Sequence, residues 1–279
     1  MDKGTNKNKL SVVVLRGGGD LASGVALRLH RVGIKLVMIE LAQPLAIRRL
    51  VSFSEAIYED QVTVEGINGK RADHIDSIPQ IMDQGDIPVL VDPEYSLRNS
   101  SLLNIIAMID ARMMKRPPEI GTEAAPLVVG LGPGFIAGQN CHAVVETNRG
   151  HHLGRVIWDG GAEVNTGMPG KVGEKQSERV LRSPVDGLLV TKQRIGSVVK
   201  SGELIGMVAG ERIVAPFDGV LRGLLRHQHP VTKGMKIGDL DPRMEPSYAS
   251  TVSEKSLAIG GGVLEALLTK KEIRAKLWN

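Results

Sequence analysis

The sequence predicts an α/β protein with an N-terminal parallel sheet, a mostly β region that contains a duplicated segment, and a C-terminal helix. Three observations predict it. An apolar strand runs directly into a glycine-rich loop at residues 16–19. Strand-like and helix-like apolar patterns then follow one another over the first 110 residues. After residue 183, two similar segments recur at an offset of 32 residues.

The glycine-rich loop lies between a predicted strand and a predicted helix. Residues 11–15 form a β-branched run typical of a buried parallel strand, and three glycines occupy positions 17–19. The apolar spacing predicts a helix over residues 21–32, which Gly33 ends. This succession of strand, glycine loop and helix is typical of a nucleotide-binding fold.

The spacing within the loop predicts a bound dinucleotide. Gly17, Gly19 and Ala22 fit the G-x-G-x-x-G/A pattern, in which the glycines allow a tight turn and close approach to a pyrophosphate at the helix N-terminus. Glu40 ends the next strand, where a carboxylate accepts a hydrogen bond from a ribose hydroxyl and favours NAD over NADP. We expect a Rossmann-like unit that holds NAD or another dinucleotide through Gly17, Gly18, Gly19, Asp20, Ala22 and Glu40. The alternative is a loop that only makes the turn.

Two further predicted strands end in acidic residues. Residues 87–91 run into Asp92, and residues 104–109 run into Asp110, with Arg112 close behind. The carboxyl ends of parallel strands share one edge of a sheet, so these three side chains are candidates for the same ligand crevice as the glycine loop. In the alternative, Asp92 caps the following helix and Asp110 pairs locally with Arg112.

The central segment, around residues 140–152, is dense in polar side chains. Cys141, His142 and His151 are candidate catalytic residues, because a thiol with a neighbouring histidine base can act as a nucleophile. Their spacing does not match a zinc site, so no metal is expected. Arg149 is a candidate contact for the anionic part of the cofactor, and the alternative for Cys141 is a buried apolar role.

The duplication predicts two β-halves. Residues 183–190 match residues 215–222, and both contain a Pro-x-Asp-Gly turn. The pattern resembles the biotinyl/lipoyl barrel-sandwich fold over about residues 180–242. Carrier domains of that fold hold their group on a hairpin lysine, and hairpin 207–213 has none. The resemblance therefore implies a docking or spacing module without attached biotin or lipoate.

The composition and sequence pattern argue against several classes of protein. Aromatic residues make up 3% and the formal net charge is +4, which argues against nucleic-acid binding. No apolar run is long enough to span a membrane, the polar N-terminus does not read as a signal peptide, and the single cysteine excludes an internal disulfide. We expect a cytoplasmic protein with four regions: 1–120 (Rossmann-like), 121–179 (central β and loop segment), 180–245 (barrel-sandwich module) and 246–279 (C-terminal helix packing back on the rest).

Nearly the whole chain resembles the accessory-protein family of selenium-dependent molybdenum hydroxylases. The motifs that carry the resemblance are Arg16–Gly24, Ile109–Met113, Gly130–Gly138, Asn140–His151 and Ser183–Gly187. It implies a role in maturation of a molybdenum hydroxylase, with that client enzyme or other maturation proteins as partners. The dinucleotide would then include a dinucleotide form of the molybdenum cofactor. Two alternatives stay open: an NAD-dependent oxidoreductase with His142 or His151 as proton donor, and a non-enzymatic docking scaffold.

Overall fold

The computed structural model describes residues 9–114, 116–164, 175 and 177–278, and residues 1–8, where no signal peptide is expected, lie outside them. The chain divides into two compact units. The first consists of the described residues of Met1–Pro44, Phe53–Asn165 and Ser253–Asn279. The second consists of those of Leu45–Ser52 and Thr166–Val252.

A nine-stranded mixed sheet forms the centre of the first unit. The strands of this unit are Leu10–Arg16 (β1), Leu36–Glu40 (β2), Gln61–Val64 (β3), Ile67–Ala72 (β4), Ile87–Val91 (β5), Leu103–Asp110 (β6), Val128–Leu131 (β7), Ile136–Ala137 (β8), Ala143–Val145 (β9), Val156–Ile157 (β10) and Gly160–Gly161 (β11). Their order in the large sheet is β10-β9-β7-β6-β1-β2-β5-β4-β3, and β8 pairs separately with β11. The pairs β3–β4 and β9–β10 are antiparallel, and the pairs between them are parallel.

Helices are few in this unit. They are Asp20–Arg31 (α1), Ala56–Glu59 (α2), Ile78–Asp83 (α3), Glu254–Thr269 (α4) and Lys271–Arg274 (α5). Short 3₁₀ turns add Phe53–Glu55, Ile75–Ser77, Ser96–Asn99 and Thr122–Ala124. Within the described part of the chain, no helix combines the length and apolar character needed to cross a bilayer.

The first strand, β1, is the middle one of the nine strands. All its residues after Leu10 are buried, as is typical of a central parallel strand. It pairs in parallel with β2 on one side and β6 on the other. After β1, the chain adds the strands β2 to β5 on one side of β1 and then crosses to β6 on its other side. The direction in which strands are added therefore reverses between β1 and β6. In an open parallel sheet, a ligand crevice lies outside the carboxyl ends of the strands at such a reversal.

This sheet corrects the predicted fold class. The expected N-terminal Rossmann-like parallel sheet ending near residue 120 is wrong, because the sheet is mixed and includes β7, β9 and β10 from the predicted central segment. No α-helix joins β6 to β7 or β7 to β9 among the described residues. Helical cover comes instead from α4, near the other end of the chain, which packs on α1.

The two helices α1 and α4 approach closely at glycine residues. A Cβ atom at Gly24 would lie 2.5 Å from the Cβ of Ser256, and one at Gly260 would lie 2.8 Å from the carbonyl oxygen of Gly24. Backbone atoms cannot move aside as a flexible side chain can. The space at Gly260 therefore requires glycine, although glycine lowers helix propensity.

The adjacent glycines of α4 provide a matched test of this packing. We expect Gly260→Ala to lower the free energy of unfolding by about 1–3 kcal/mol, because the added methyl group overpacks the helix interface. Gly261 has no atom of the described residues within 4 Å of its Cβ position. Gly261→Ala is therefore expected to raise stability by about 0.5–1 kcal/mol through helix propensity alone. Urea unfolding of both variants measures the difference, and shifts of the same sign would contradict the close approach.

The second unit consists of two four-stranded antiparallel sheets. Its strands are Val180–Arg182 (β12), Gly187–Thr191 (β13), Val198–Val199 (β14), Leu204–Val208 (β15), Glu211–Val214 (β16), Gly219–Leu224 (β17), Pro230–Val231 (β18) and Lys236–Asp241 (β19). The orders are β12-β19-β17-β14 and β16-β15-β13-β18. The two similar sequence segments lead into β13 and β17, which lie in different sheets. Two 3₁₀ turns, Arg49–Val51 and Pro246–Ala249, belong to the same unit.

The predicted duplicated barrel-sandwich module of the biotinyl/lipoyl type is also wrong. The unit is not made by the repeats alone, because residues 45–52 from the first part of the chain belong to it. The amide of Leu224 donates a 2.9 Å hydrogen bond to the carbonyl oxygen of Ile47. A Cβ at Gly223 would lie 2.7 Å from Cγ2 of Ile47. A distant segment thus packs directly on β17.

Candidate ligand-binding site

The three glycines after β1 differ in how strictly their surroundings require glycine. Gly17 has φ +100°, a conformation that favours glycine, and its amide donates to the carbonyl oxygen of Ile39 at 2.8 Å. Gly18 packs on Ser54, where a Cβ would lie 2.9 Å from the Ser54 nitrogen. Gly19 has φ −69° and no described atom within 4 Å of its Cβ position. Within the described residues, neither strain nor packing demands glycine at position 19.

The open space over Gly19 lies at the N-terminus of α1. Gly19 is the N-cap residue, and no side chain caps the helix there. Its carbonyl oxygen accepts the first helical hydrogen bond, from the amide of Ser23 at 2.8 Å. Asp20 lies in the first turn and Ala22 is fully buried inside the helix packing. The helix therefore directs its positive dipole end into an open space beside the loop.

The carboxylate of Glu40 lies directly against this loop. Its Oε1 accepts from the amide of Gly18 at 2.9 Å, and its Oε2 accepts from the amide of Leu41 at 2.6 Å. Burial raises the pKa of Glu40, and the two amide hydrogen bonds and the charge of Arg112 oppose that rise. The end of β2 thus brings an acceptor to the glycine loop, as the sequence pattern predicts.

An ion-pair cluster occupies the carboxyl ends of β1 and β6. Arg16 and Asp110 are register partners in the sheet, and Nη1 of Arg16 lies 3.4 Å from Oδ2 of Asp110. Both side chains are almost fully buried, at 4% and 2% exposure. Arg112 binds the same carboxylate more closely, with Nη2 at 2.6 Å from Oδ2 and Nε at 2.9 Å from Oδ1. One buried carboxylate is shared by two guanidinium groups, and the more exposed carboxylate of Glu119 is a second counter-charge of Arg112.

This cluster adjoins the glycine loop. A Cβ at Gly17 would lie 3.4 Å from both Cα and Cγ of Arg112. The desolvated guanidinium of Arg16 has a lowered pKa, because burial comes first among the causes and the neighbouring charge of Arg112 adds to it. The structure thus brings the loop, Glu40, Asp110 and Arg112 to one edge of the sheet.

Asp92 is also near the end of its strand, β5, but its contacts are local. It is 4% exposed. Its Oδ1 accepts from the amide and hydroxyl of Ser96 at 2.8 and 2.7 Å, and its Oδ2 accepts from the amide of Leu97 at 2.8 Å. Those bonds stabilise the 3₁₀ turn at Ser96–Asn99. A ligand contact of Asp92 stays a prediction.

The candidate catalytic residues of the central segment are not joined to one another by hydrogen bonds in the described structure. Cys141 is fully buried in the apolar core next to β9. The Nδ1 atom of His142 accepts a hydrogen bond from the amide of Val128, the first residue of β7, at 2.9 Å. Burial lowers the pKa of His142, and the charge of Lys270 lowers it further. His151 is exposed, and its ring meets that of His152 edge-on, at 5.2 Å between centroids.

The thiol of Cys141 is expected to be unreactive in the folded protein. Burial raises its pKa to about 11, so the nucleophilic thiolate is nearly absent at pH 8. Iodoacetamide at pH 8 is therefore expected to leave the native thiol unmodified while it alkylates the urea-unfolded chain fully. Mass spectrometry of both samples measures this. Native alkylation at the rate of the unfolded chain would show that Cys141 is accessible and ionised.

Arg149, the candidate anion contact of the central segment, pairs with another element. Its Nη1 forms an ion pair with the carboxylate of Glu254 at the start of α4. Nearby, Nδ1 of His152 lies 2.9 Å from Oε1 of Glu163. No group of three or more His, Cys, Asp or Glu side chains suited to a metal ion is found among the described residues. The anion-binding role of Arg149 stays a prediction.

A cavity of about 560 Å³ lies elsewhere, at the amino ends of β1 and β6. Its polar lining includes Lys9, Arg98, Ser100 and Glu123. It shares no residue with the glycine loop or the ion-pair cluster. We place the site at the carboxyl edge because parallel sheets bind ligands at that edge, and because the candidate residues converge there.

Two members of the site are not among the residues predicted from sequence. Arg16 carries a signal that could have been used, since it is a charged residue at the end of an otherwise apolar buried strand. Glu119 carries no such signal. Its Oε2 lies 2.9 Å from Nη2 of Arg112, a contact made by an irregular segment after β6.

No protein-family model matches the chain. The uncharacterized protein YqeB of Escherichia coli (strain K12) is 44% identical over 270 residues, which are 96% of this chain and 49% of that protein. The chain therefore spans about half the length of this relative. Among solved structures, it is similar to the succinylglutamatedesuccinylase/aspartoacylase from Rhodobacter sphaeroides, with 14% identity, 84% of this chain and 86% of that chain covered, and a TM-score of 0.26. An aspartoacylase family protein from Mesorhizobium loti has 13% identity, coverages of 84% and 85%, and a TM-score of 0.28.

These comparisons do not support the family expected from the sequence. The solved structures named above are desuccinylase and aspartoacylase proteins, not accessory proteins of a molybdenum hydroxylase. The predicted membership of that family, the maturation function and the link to selenium are therefore unsupported. The comparisons support neither of the two alternatives, an NAD-dependent oxidoreductase and a docking scaffold. The activities named for these structures are not carried over, because the TM-scores are 0.26 and 0.28.

Proposed function

We propose that the chain binds NAD or another dinucleotide at the carboxyl edge of the nine-stranded sheet. The observation that carries this proposal is Gly19. It is a glycine at a helix N-terminus with no described atom within 4 Å of its Cβ position, in a backbone conformation that other residues adopt freely. A ligand that approaches the backbone closely gives such a position a reason to be glycine.

The neighbouring groups suit the parts of a dinucleotide. The N-terminus of α1 attracts the pyrophosphate, and the guanidinium group of Arg112 can add to that attraction by binding phosphate oxygens. Glu40, held at the loop by the amide of Gly18, is available to a ribose hydroxyl and repels a 2′-phosphate. The proposal concerns binding and assigns no reaction. The cytoplasmic location expected from composition is part of the same proposal.

Isothermal titration of the purified chain with NAD, NADP and adenosine tests the proposal. We expect NAD to bind more tightly than NADP, because Glu40 disfavours the 2′-phosphate. Adenosine, which lacks the pyrophosphate, is expected to bind weakly. The absence of binding by both dinucleotides, or equal affinity for NAD and adenosine, would overturn the assignment of the loop to pyrophosphate.

A further inference from the structure

The guanidinium group of Arg112 is held on one side and open on another. The carboxylate of Asp110 accepts hydrogen bonds from its Nε and Nη2, at 2.9 and 2.6 Å. The carboxylate of Glu119 also accepts a hydrogen bond from Nη2, at 2.9 Å. The hydrogen bonds of the Arg112 side chain use only Nε and Nη2, so Nη1 has no partner in the described part of the chain.

The two carboxylates on Arg112 differ in how easily they can be exchanged. The side chain of Asp110 is 2% exposed and is also paired with Arg16, so removing it from the cluster would leave buried charges without compensation. The side chain of Glu119 is 50% exposed, and water can solvate it after separation. Its other contact, with Nη2 of Arg116 at 3.4 Å, lies on the surface. Exposed ion pairs of this kind are weak.

We infer that Arg112 is the residue that binds a phosphate of the ligand, and that Glu119 occupies its position until the ligand arrives. An incoming phosphate oxygen pair can bind across the Nη1–Nη2 edge, with Nη1 open and Nη2 released by Glu119. A guanidinium edge matches two phosphate oxygens in this way. Arg112 adjoins Gly17, so a pyrophosphate over the glycine loop lies within its reach.

This inference deepens the proposed function and rests on it for the identity of the ligand. It assigns Glu119 an effect on affinity that a purely structural residue would not have. The ligand must displace Glu119 before it can use both nitrogens of the edge. Removing the charge of Glu119 should therefore strengthen the binding of anions and leave ligands without phosphate unaffected.

The test is a set of titrations of wild-type protein, Glu119→Gln, Arg112→Gln and the control Glu123→Gln with NAD, inorganic pyrophosphate and adenosine. Glu123 is an exposed carboxylate that lines the separate cavity at the amino ends of β1 and β6, accepts from the amide of Gly121 at 2.9 Å, and has no contact with Arg112 among the described residues. We expect Glu119→Gln to bind NAD and pyrophosphate about two- to fivefold more tightly, as the weakness of an exposed ion pair allows. Arg112→Gln is expected to lose at least about tenfold in both affinities. Glu123→Gln should match wild type.

The outcomes separate the inference from the proposed function. If NAD binds wild type and Glu119→Gln equally, the inference fails and the proposed function stands. If NAD does not bind but pyrophosphate binds Glu119→Gln more tightly, the dinucleotide is wrong and the Arg112–Glu119 site stands. If no phosphate compound binds any of the proteins, both are overturned. An equal gain for adenosine or for Glu123→Gln would show a non-specific charge effect and overturn the inference.

Discussion

Replacing Gly19 by leucine is expected to abolish dinucleotide binding and to leave the fold intact. The leucine side chain would enter the open space in which the pyrophosphate is proposed to lie. We expect affinity for NAD to fall by more than about 100-fold, which is about 2.7 kcal/mol of binding free energy. Titration of wild type and Gly19→Leu with NAD measures the loss.

The same variant carries its own control for folding. Gly19 has φ −69°, so leucine needs no strained backbone, and no described atom lies within 4 Å of its Cβ. Losing glycine from the N-cap should cost no more than about 1 kcal/mol of unfolding free energy. Gly18→Ala, by contrast, must displace Ser54 and is expected to destabilise. Unchanged affinity in a folded Gly19→Leu protein would contradict the assignment of the loop.

Asp110→Asn is expected to be the most destabilising single change in the site. It removes the only carboxylate that Arg16 contacts among the described residues and one of the two on Arg112. The guanidinium of Arg16 would then stay buried without a counter-charge. We expect a loss of about 3–5 kcal/mol in the free energy of unfolding, measured by urea titration at pH 7.

The control for Asp110→Asn is an aspartate in an exposed pair of the same unit. Asp73 lies 3.3 Å from Nε of Arg71, and its side chain is 70% exposed. Asp73→Asn should cost less than about 1 kcal/mol, because water compensates exposed charges. A loss for Asp110→Asn as small as that for Asp73→Asn would show that the buried cluster does not depend on its carboxylate.

Positions of individual elements in the first part of the chain follow from local pattern. The predicted helix at 21–32 is found as α1 at Asp20–Arg31, and the predicted strand at 87–91 is found as β5. Gly33 follows α1 with φ +76°, as a glycine after a helix end commonly does. These agreements arise because apolar periodicity and glycine conformation act over a few residues.

Part of the site was also predictable from local pattern. Glu40 and Asp110 end apolar strands, and parallel neighbours bring strand ends to one edge, so their approach to the glycine loop follows from the order of the chain. The different roles of these acidic residues did not follow from local pattern. Asp92 has an equivalent position in sequence, yet its carboxylate caps a turn. Which groups bond to a carboxylate depends on the path of the chain after the strand.

Contacts between distant segments were decided only by the tertiary structure. The approach of Glu119 to Arg112, the packing of α4 on α1 at Gly24 and Gly260, and the extension of the sheet to β10 have no local signature. Sequence pattern therefore determined the glycine loop and the strands beside it. The partners of that loop, and the space over Gly19 that makes it a candidate site, depend on burial and shape shared by residues far apart in the chain.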